Sequence, residues 1–440
     1  MQYDVLVIGA GPAGVAAAIS ASRAGARTLL VERYGAAGGA FSMGLALTPV
    51  GYEPFKYWAT STDPDGWAVQ GIARELFDRM VAEDAVCKPV WDVETCKWVM
   101  DRLLVDAGVD ILFHCRFIDV VRSGARVTGA ALATKRGRLE VAAKVTIDCS
   151  GDGDVFDAAG CAFDVGREED GKPQPMLLAS IFGNVHLPYT PEMTYPEMMG
   201  WSQQNVSPLL DAAWQRGDIP PVMLGIMFPR VVRGGILRDQ VWCRLVQHWC
   251  DPTDPRAISW AEIETRDGLR KVHDWMRANV PGFENSALLQ TSAQTWPREA
   301  RRLRGVYTLT EDDVRADRKS DLGIAKGTCF LEAHSATPGD PRQEKGLDWK
   351  SRESLIWKDV DYDIPYGALV PVDADGILVA GRCISATHIA QSSARMQATS
   401  MALGEAAGLA AVLCADQDVA PRDLDVAALR NRLRGQGARV

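Results

Sequence analysis

Apolar positions dominate the first residues of the chain, where Val5-Leu6-Val7-Ile8 runs into Gly9, Gly11 and Gly14, and a second apolar run, Thr28 to Val31, ends on Glu32. The pattern predicts a buried strand, a helix from Pro12 to Ala24 and a second buried strand, the order of a βαβ unit. Amphipathic spacing then predicts helices over Trp67–Glu83 and Asp92–Ala107. Alternating runs over Asp110–Val121, Arg126–Thr134 and Glu140–Ile147, separated by turn residues, predict an antiparallel meander inserted in a parallel sheet. From Val165 to Ser292 the character changes, with nine prolines between Pro173 and Pro229 and many Trp and Met residues. Strands are expected there over Met176–Phe182, Val222–Phe228 and Gln240–Leu245, and a helix over Trp260–Asn279. Trp296–Leu303 and Glu311–Arg318 are charged and read as helical, and Pro338–Lys350 as a hinge. In the last third, an apolar strand within Gly376-Ile377-Leu378-Val379-Ala380 leads through Gly381-Arg382 to a helix rich in small residues, from Arg395 to Leu413.

The three early glycines give this pattern its chemistry. Gly9 permits a tight turn, Gly11 lets the backbone approach a pyrophosphate, and Gly14 lets the helix pack closely on the sheet. An anion then sits at the N-terminus of the helix beginning Pro12-Ala13, and Glu32 accepts hydrogen bonds from ribose hydroxyls. The motif alone leaves open whether the dinucleotide is NAD(P) or FAD. The loop from Arg33 to Gly44, with Gly38, Gly39 and Ala40, carries too little side chain to build a core and suits backbone closure on a flat or anionic ligand.

Composition narrows the class. The 440 residues are long for one core, and the net charge of −9 is dispersed, which argues against nucleic acid or an anionic membrane surface as partner. The sequence reads as having no apolar run of about 18 residues and no room for a signal peptide before Tyr3, so a cytoplasmic location is expected. The ten cysteines are scattered without metal spacing.

Several blocks carry a resemblance. Ile147-Asp148-Cys149-Ser150-Gly151-Asp152-Gly153-Asp154, Leu378-Val379-Ala380-Gly381-Arg382-Cys383-Ile384-Ser385-Ala386-Thr387-His388, Met401-Ala402-Leu403-Gly404-Glu405-Ala406-Ala407-Gly408 and the arginine-rich block Arg298 to Val314 are similar to a bacterial group of FAD-dependent oxidoreductases of the glutathione-reductase-type (GR2-like) flavin fold. The resemblance leaves residues 170–290 uncovered. It departs at Glu405, where the group more often has Gln, and at Cys149-Ser150, where Ala-Thr is commoner. It implies an α/β chain: a Rossmann-like FAD-binding domain, a parallel sheet with an antiparallel meander, joined to an α+β substrate-binding lobe. The expected division is 1–165 and 359–440 for the FAD-binding domain, 166–295 for the lobe and 296–358 as a connecting segment.

By position, the resemblance implies FAD, bound non-covalently. Gly9, Gly11, Pro12, Ala13 and Gly14 would hold its pyrophosphate, Glu32 and Arg33 its adenosine ribose, and Gly38, Gly39 and Ala40 its flavin side. Phe117 or Ile118 would meet adenine, Ser150 and Gly151 the adenosine end, Gly381 and Arg382 the ribityl and pyrophosphate, and Met396, Gln397 and Ala398 the flavin at a helix N-terminus. No second dinucleotide motif with strand and helix context follows, since Gly151-Asp152-Gly153 lacks the third glycine, and the late strand lacks the aromatic-hydroxylase block. The expected function is an oxidase or dehydrogenase removing hydride from a small organic substrate, with O2 or another acceptor reoxidising the flavin. The alternatives are a NAD(P)H-dependent reductase and a non-enzymatic flavin sensor. Candidate catalytic groups are Arg395, His388, His334 and Arg298, with Tyr366 a lesser choice. For the cluster Arg298, Arg301, Arg302 and Arg304 a solvated helix face is the favoured reading. Substrate identity and oligomeric state are not written in these patterns.

Overall fold

The computed structural model describes residues 1–48, 51, 66–87, 90–190, 192–223, 227–337 and 361–440. The chain opens with β1 (Gln2–Ile8), α1 (Pro12–Arg23) and β2 (Thr28–Val31). It continues through α2 (Ile72–Ala82), the paired β3 (Val86–Cys87) and β4 (Val90–Trp91), α3 (Val93–Asp106), β5 (Asp110–Leu112), β6 (Arg116–Ser123), β7 (Arg126–Thr134), β8 (Gly137–Asp148) and α4 (Asp154–Ala158). Then come β9 (Phe163–Val165), β10 (Met176–Gly183), α5 (Tyr195–Asn205), α6 (Ser207–Arg216), β11 (Met227–Val232), β12 (Gly235–His248), α7 (Pro255–Asn279), β13 (Ala287–Thr291) and β14 (Trp296–Pro297). The return comprises β15 (Arg301–Leu303), α8 (Glu311–Arg315), β16 (Gly323–Gly327), β17 (Tyr362–Pro365), β18 (Ile377–Val379), α9 (His388–Ala394), α10 (Gln397–Gln417) and α11 (Val426–Gly435).

These elements form the mixed α/β fold expected, with a Rossmann-like parallel sheet. Its order is β5-β2-β1-β8-β7-β6, and β18 also pairs with β8. Strands β5, β2, β1, β8 and β18 are parallel, while β6, β7 and β8 form the antiparallel meander. Strands β1 and β2 are buried almost throughout, with α1 packed on both and α10 on β1. A second sheet, β11-β12-β10-β13 with β14 on β10, is antiparallel and packs its own apolar core against α7.

Five expectations are corrected. Asp110–Val121 is two strands, because His114 adopts a left-handed conformation (φ 55°) and the chain leaves the edge of β2 for the meander. The helix expected from Trp67 starts at Ile72, after Gly71 at φ 65°. The C-terminal helix starts at Gln397, and Arg395 instead ends the short α9. Trp296–Leu303 is not helical: β14 pairs with β10 and β15 with β9, and long-range strand pairing overrides the local pattern. In that segment Arg298 and Arg302 are only 2% exposed, which overturns the solvated-face reading for these two. Arg302 donates to the carbonyls of Ala386 and Gly166 at 2.9 Å and pairs with the buried Glu299 carboxylate. In Val222–Phe228, Val222 makes only an isolated bridge and the strand begins at Met227; residues 224–226, and the Pro338–Lys350 hinge, lie outside the described residues.

The N-terminal and C-terminal parts are joined by the contact of α1 with α10. A Cβ at Gly404 would stand 2.0 Å from the Ala13 carbonyl oxygen, and one at Gly408 2.2 Å from that of Ala17, so only glycine permits this approach. Ser20 seals the contact by donating to the Glu405 carbonyl at 2.8 Å. Helix α10 reaches the length and hydropathy of a membrane span, contrary to the expectation of no such run, but 94% of its apolar window is buried inside the fold.

The Glu405 side chain points away from the nucleotide side, to the N-terminus of α2. Its carboxylate accepts from the Ile72 N–H at 3.0 Å, capping a helix whose own N-cap residue, Gly71, has no side chain. Burial raises its pKa from 4.5 to about 7, with the Ile72 hydrogen bond and Arg23 acting in the opposite sense.

Gly404→Ala is expected to cost about 2–3 kcal/mol in urea unfolding, whereas Gly200→Ala, at a mid-helix site with nothing within 4 Å of the added Cβ, is expected to be neutral or slightly stabilising. Because the folded pKa of Glu405 lies above its unfolded value, its contribution is complete below pH 4.5 and is lost as pH rises through about 7. Glu405→Gln should therefore flatten the pH dependence of stability over that window by about 3 kcal/mol, as read from unfolding curves at pH 5 and pH 8.

Candidate active site

A cleft of about 210 Å³ runs from the β1–α1 turn, along the C-terminal ends of β1 and β2, to the N-terminus of α10. This is where open α/β sheets place their ligands. The strand order forces the glycine geometry at its start. Gly9 has φ 96° and donates to the Val31 carbonyl at 2.8 Å, and a Cβ on Gly14 would lie 1.8 Å from the Gly9 oxygen. Nothing lies within 4 Å of a Cβ on Gly11, whose backbone faces open space in the cleft.

Glu32, at the end of β2, is buried and accepts from the N–H groups of Ala10 (2.8 Å) and Tyr34 (2.9 Å). Its carboxylate thus holds both loops that flank the cleft. Gly38 donates to the Ala10 carbonyl at 2.7 Å and brings the glycine-rich loop onto the same turn. On the opposite wall, Asp148 terminates β8 and caps α4, accepting from Val155 and Phe156 and from the backbone and hydroxyl of Ser150. Burial nevertheless raises its pKa. Arg382 pairs with Asp152 at 2.7 Å, and its buried Nη1 has no hydrogen-bond partner among the described residues. Beside them Asp154 is pushed up to about 6 by burial and by the carboxylates of Asp152 and Asp148, against the pull of Arg33 and Arg301.

The other end of the cleft is built from four distant stretches: Arg244 on β12, Trp296, Pro297 and Arg298 around β14, Glu332 after β16, and Arg395, Met396, Gln397 and Ser400 before and on α10. Arg395 donates to the Glu332 carbonyl at 3.1 Å and stands 3.4 Å from its carboxylate. The N-terminus of α10 opens on this end, presenting a partial positive charge.

Of the cofactor residues named from sequence, Gly9, Gly11, Pro12, Ala13, Glu32, Arg33, Gly39, Ala40, Phe117, Ser150, Gly151, Gly381, Arg382, Met396 and Gln397 line the cleft. Gly14, Gly38 and Ala398 lie behind it as packing positions, and Ile118 points outward, 47% exposed, because alternate strand residues face opposite sides. Among the catalytic candidates Arg298 and Arg395 line the cleft. His388 does not: it is 1% exposed and shares a 2.8 Å contact with Glu299. His334 is buried behind the wall, its pKa driven well below the usual histidine value by burial and by Arg298, Arg395 and Arg244. Tyr366 is also away from the cleft, donating to the Pro421 carbonyl. Sequence reasoning assigned no role to Arg244, Glu332 or Trp296. A charge inside the apolar run Trp242-Cys243-Arg244-Leu245-Val246 was the available signal for the first.

Fold and cleft together define a nucleotide-cofactor enzyme of the Rossmann-like α/β class. Residues 4–433 match the family model "FAD dependent oxidoreductase", and the chain belongs to that family. FAD is therefore its cofactor. The chain is 30% identical over 158 residues to a digeranylgeranylglycerophospholipid reductase of Picrophilus torridus, a match covering 34% of this chain and 40% of that protein. It is 31% identical over 117 residues to one component of the opine oxidase of Rhizobium meliloti, covering 27% of this chain and 21% of that one. The matched segments thus span less than half of these relatives. Among solved structures, a geranylgeranyl bacteriochlorophyll reductase-like protein of Thermoplasma acidophilum aligns over 100% of this chain and 84% of its own, at 13% identity and a TM-score of 0.47.

The open face of Gly11 and the unpartnered Arg382 Nη1 suit the dianionic pyrophosphate of that cofactor. Gly11→Ala is expected to leave stability within about 0.5 kcal/mol of wild type, since the methyl meets no protein atom, and to lower bound FAD at least tenfold by absorbance of the purified protein. Full FAD content in that variant would remove Gly11 from the cofactor site.

Proposed function

We propose that this flavoprotein is an oxidase or dehydrogenase that removes hydride from a small organic substrate held at the Arg395 end of the cleft. The observation that carries the reading is the make-up of that end: Arg298, Arg395, Glu332 and Trp296 line one space beside the α10 N-terminus. Among the described residues, the glycine-turn βαβ unit occurs once, at β1, which favours an organic hydride donor over NAD(P)H bound on a second such unit. The two curated relatives are a reductase and an oxidase, matched over at most 34% of this chain, so the direction of transfer is argued from the site.

In this reading Gly9, Gly11, Pro12 and Arg382 hold the pyrophosphate, Glu32 the ribose, Phe117 the adenine wall, and Met396 and Gln397 the ring. When bound, FAD supplies a two-electron acceptor for hydride. The chain's own groups do the rest. Arg298 and Arg395 orient the substrate, and the positive end of α10 stabilises negative charge that develops in the cleft. Glu332 takes the substrate proton. His334 does not line the cleft; its imidazole stands 3.8 Å from the Glu332 carboxylate, and burial, with the nearby arginines, keeps its pKa well below the usual value.

Anaerobic mixing of the FAD-loaded protein tests the reading. An organic substrate is expected to bleach the absorbance at about 450 nm, with Glu332→Gln slowing the bleaching about 100-fold, while NADPH leaves it intact. Rapid bleaching by NADPH would make the enzyme a reductase, and a flavin that no donor reduces would make it a sensor.

A further inference from the structure

Arg244 is a buried charge with no part in the chemistry proposed for the cleft. It stands on β12, in the middle of the apolar second sheet, and is only 7% exposed. Its Nε and Nη2 are buried without a hydrogen-bond partner among the described residues, and its guanidinium carbon lies 5.3 Å from the centre of the Trp242 ring. Yet Arg244 lines the cleft. Across the same end, the buried Trp296 Nε1 is likewise without a partner among the described residues. Arg298, also on this wall, donates to the Pro175 carbonyl and the Met223 sulfur. Three arginines, Arg244, Arg298 and Arg395, therefore line this end of the cleft, and behind them burial first, and then their charges, hold the His334 pKa well below its usual value.

A guanidinium is rarely buried with two N–H groups idle, because desolvation of an unpaired charge is not recovered. The arrangement makes sense when an acceptor arrives from outside the protein. Arg244 offers a planar fork of adjacent donors, and a carboxylate is the planar acceptor that matches it with two parallel hydrogen bonds. The indole N–H of Trp296 adds a neutral donor.

We propose that Arg244, with Trp296 and the positive field of Arg298, forms a receptor for a carboxylate group of the substrate, so that the enzyme acts on small organic acids. The inference rests on the proposed oxidase or dehydrogenase function only in taking the bound acid to be the molecule oxidised. The carboxylate fixes one end of the substrate on the second sheet, and the C–H that loses hydride is held towards the α10 end.

Titration of the FAD-loaded protein with acetate and with benzoate, read by the visible flavin spectrum and by Trp fluorescence, tests this. At least one of the two anions is expected to bind saturably, and Arg244→Met to weaken it about 100-fold, with Arg244→Lys intermediate and FAD content equal in all three. Without added anion, Arg244→Met is expected to melt at or above the wild-type temperature, because the substitution removes an unpaired buried charge. Wild-type affinity in Arg244→Met, no response to either anion, loss of FAD from both variants, or a steep drop in the melting temperature of Arg244→Met would each overturn the proposal. The last two would assign Arg244 to the cofactor or to the core. An anion that binds through Arg244 while no organic acid reduces the flavin would leave the receptor standing and remove the oxidase reading; reduction by an uncharged substrate, with no anion binding, would do the reverse.

Discussion

The close approach of two backbones, α1 on α10, is the constraint on which the rest of the molecule depends. Helix α1 begins at the glycine turn and α10 ends the return of the chain, so their contact brings the two ends of the cleft to a fixed separation. Gly404 and Gly408 make that approach possible by leaving room for the carbonyls of Ala13 and Ala17. It also has an electrostatic result. Both helices open on the same cleft, Gly11 ahead of one and Met396 ahead of the other, so two partial positive charges face one anionic cofactor.

The local chemistry of the nucleotide end was legible in the sequence because each piece is written within a few residues. A strand, three glycines, a helix and an acid at the next strand end define a turn whose backbone geometry needs little from the rest of the fold. The same holds for Gly381-Arg382. The opposite end was legible only in part. Arg298 and Arg395 were named, but Arg244 and Glu332 reach the cleft through strand pairing and loop placement that no local periodicity records. The segment Trp296–Leu303 shows why: its charges suggested a wet helix, and its partners β10 and β9, more than a hundred residues upstream, made it two strands with arginines inside. The histidines failed for a related reason, since residue type promised chemistry where burial had already committed both side chains.

His388, Glu299 and Arg302 illustrate that commitment. The Glu299 carboxylate lies between a guanidinium and an imidazole, all three almost without exposure, and Arg302 spends its other donors on the carbonyls of Ala386 and Gly166. Such a buried ionic group adds little net stability over an apolar replacement. What it does provide is a fixed relation between the start of the second sheet, the β14–β15 segment and α9, and so between the floor and the side wall of the cleft.

The position of β18 in the sheet bears on how the enzyme is made. This strand lies parallel to β8, yet it follows it by more than two hundred residues, and α10 comes later still. A ribosome that has released the first 165 residues has exposed the glycine turn and Glu32 but not the surface that backs them. The wall from Ser150 to Asp154 is already present at that stage, but the Arg395 end of the cleft is complete only when synthesis passes Ser400. The full cleft is thus an assembly of chain segments made early and late, and the face of α1 that meets Gly404 and Gly408 stays unpartnered until α10 is made.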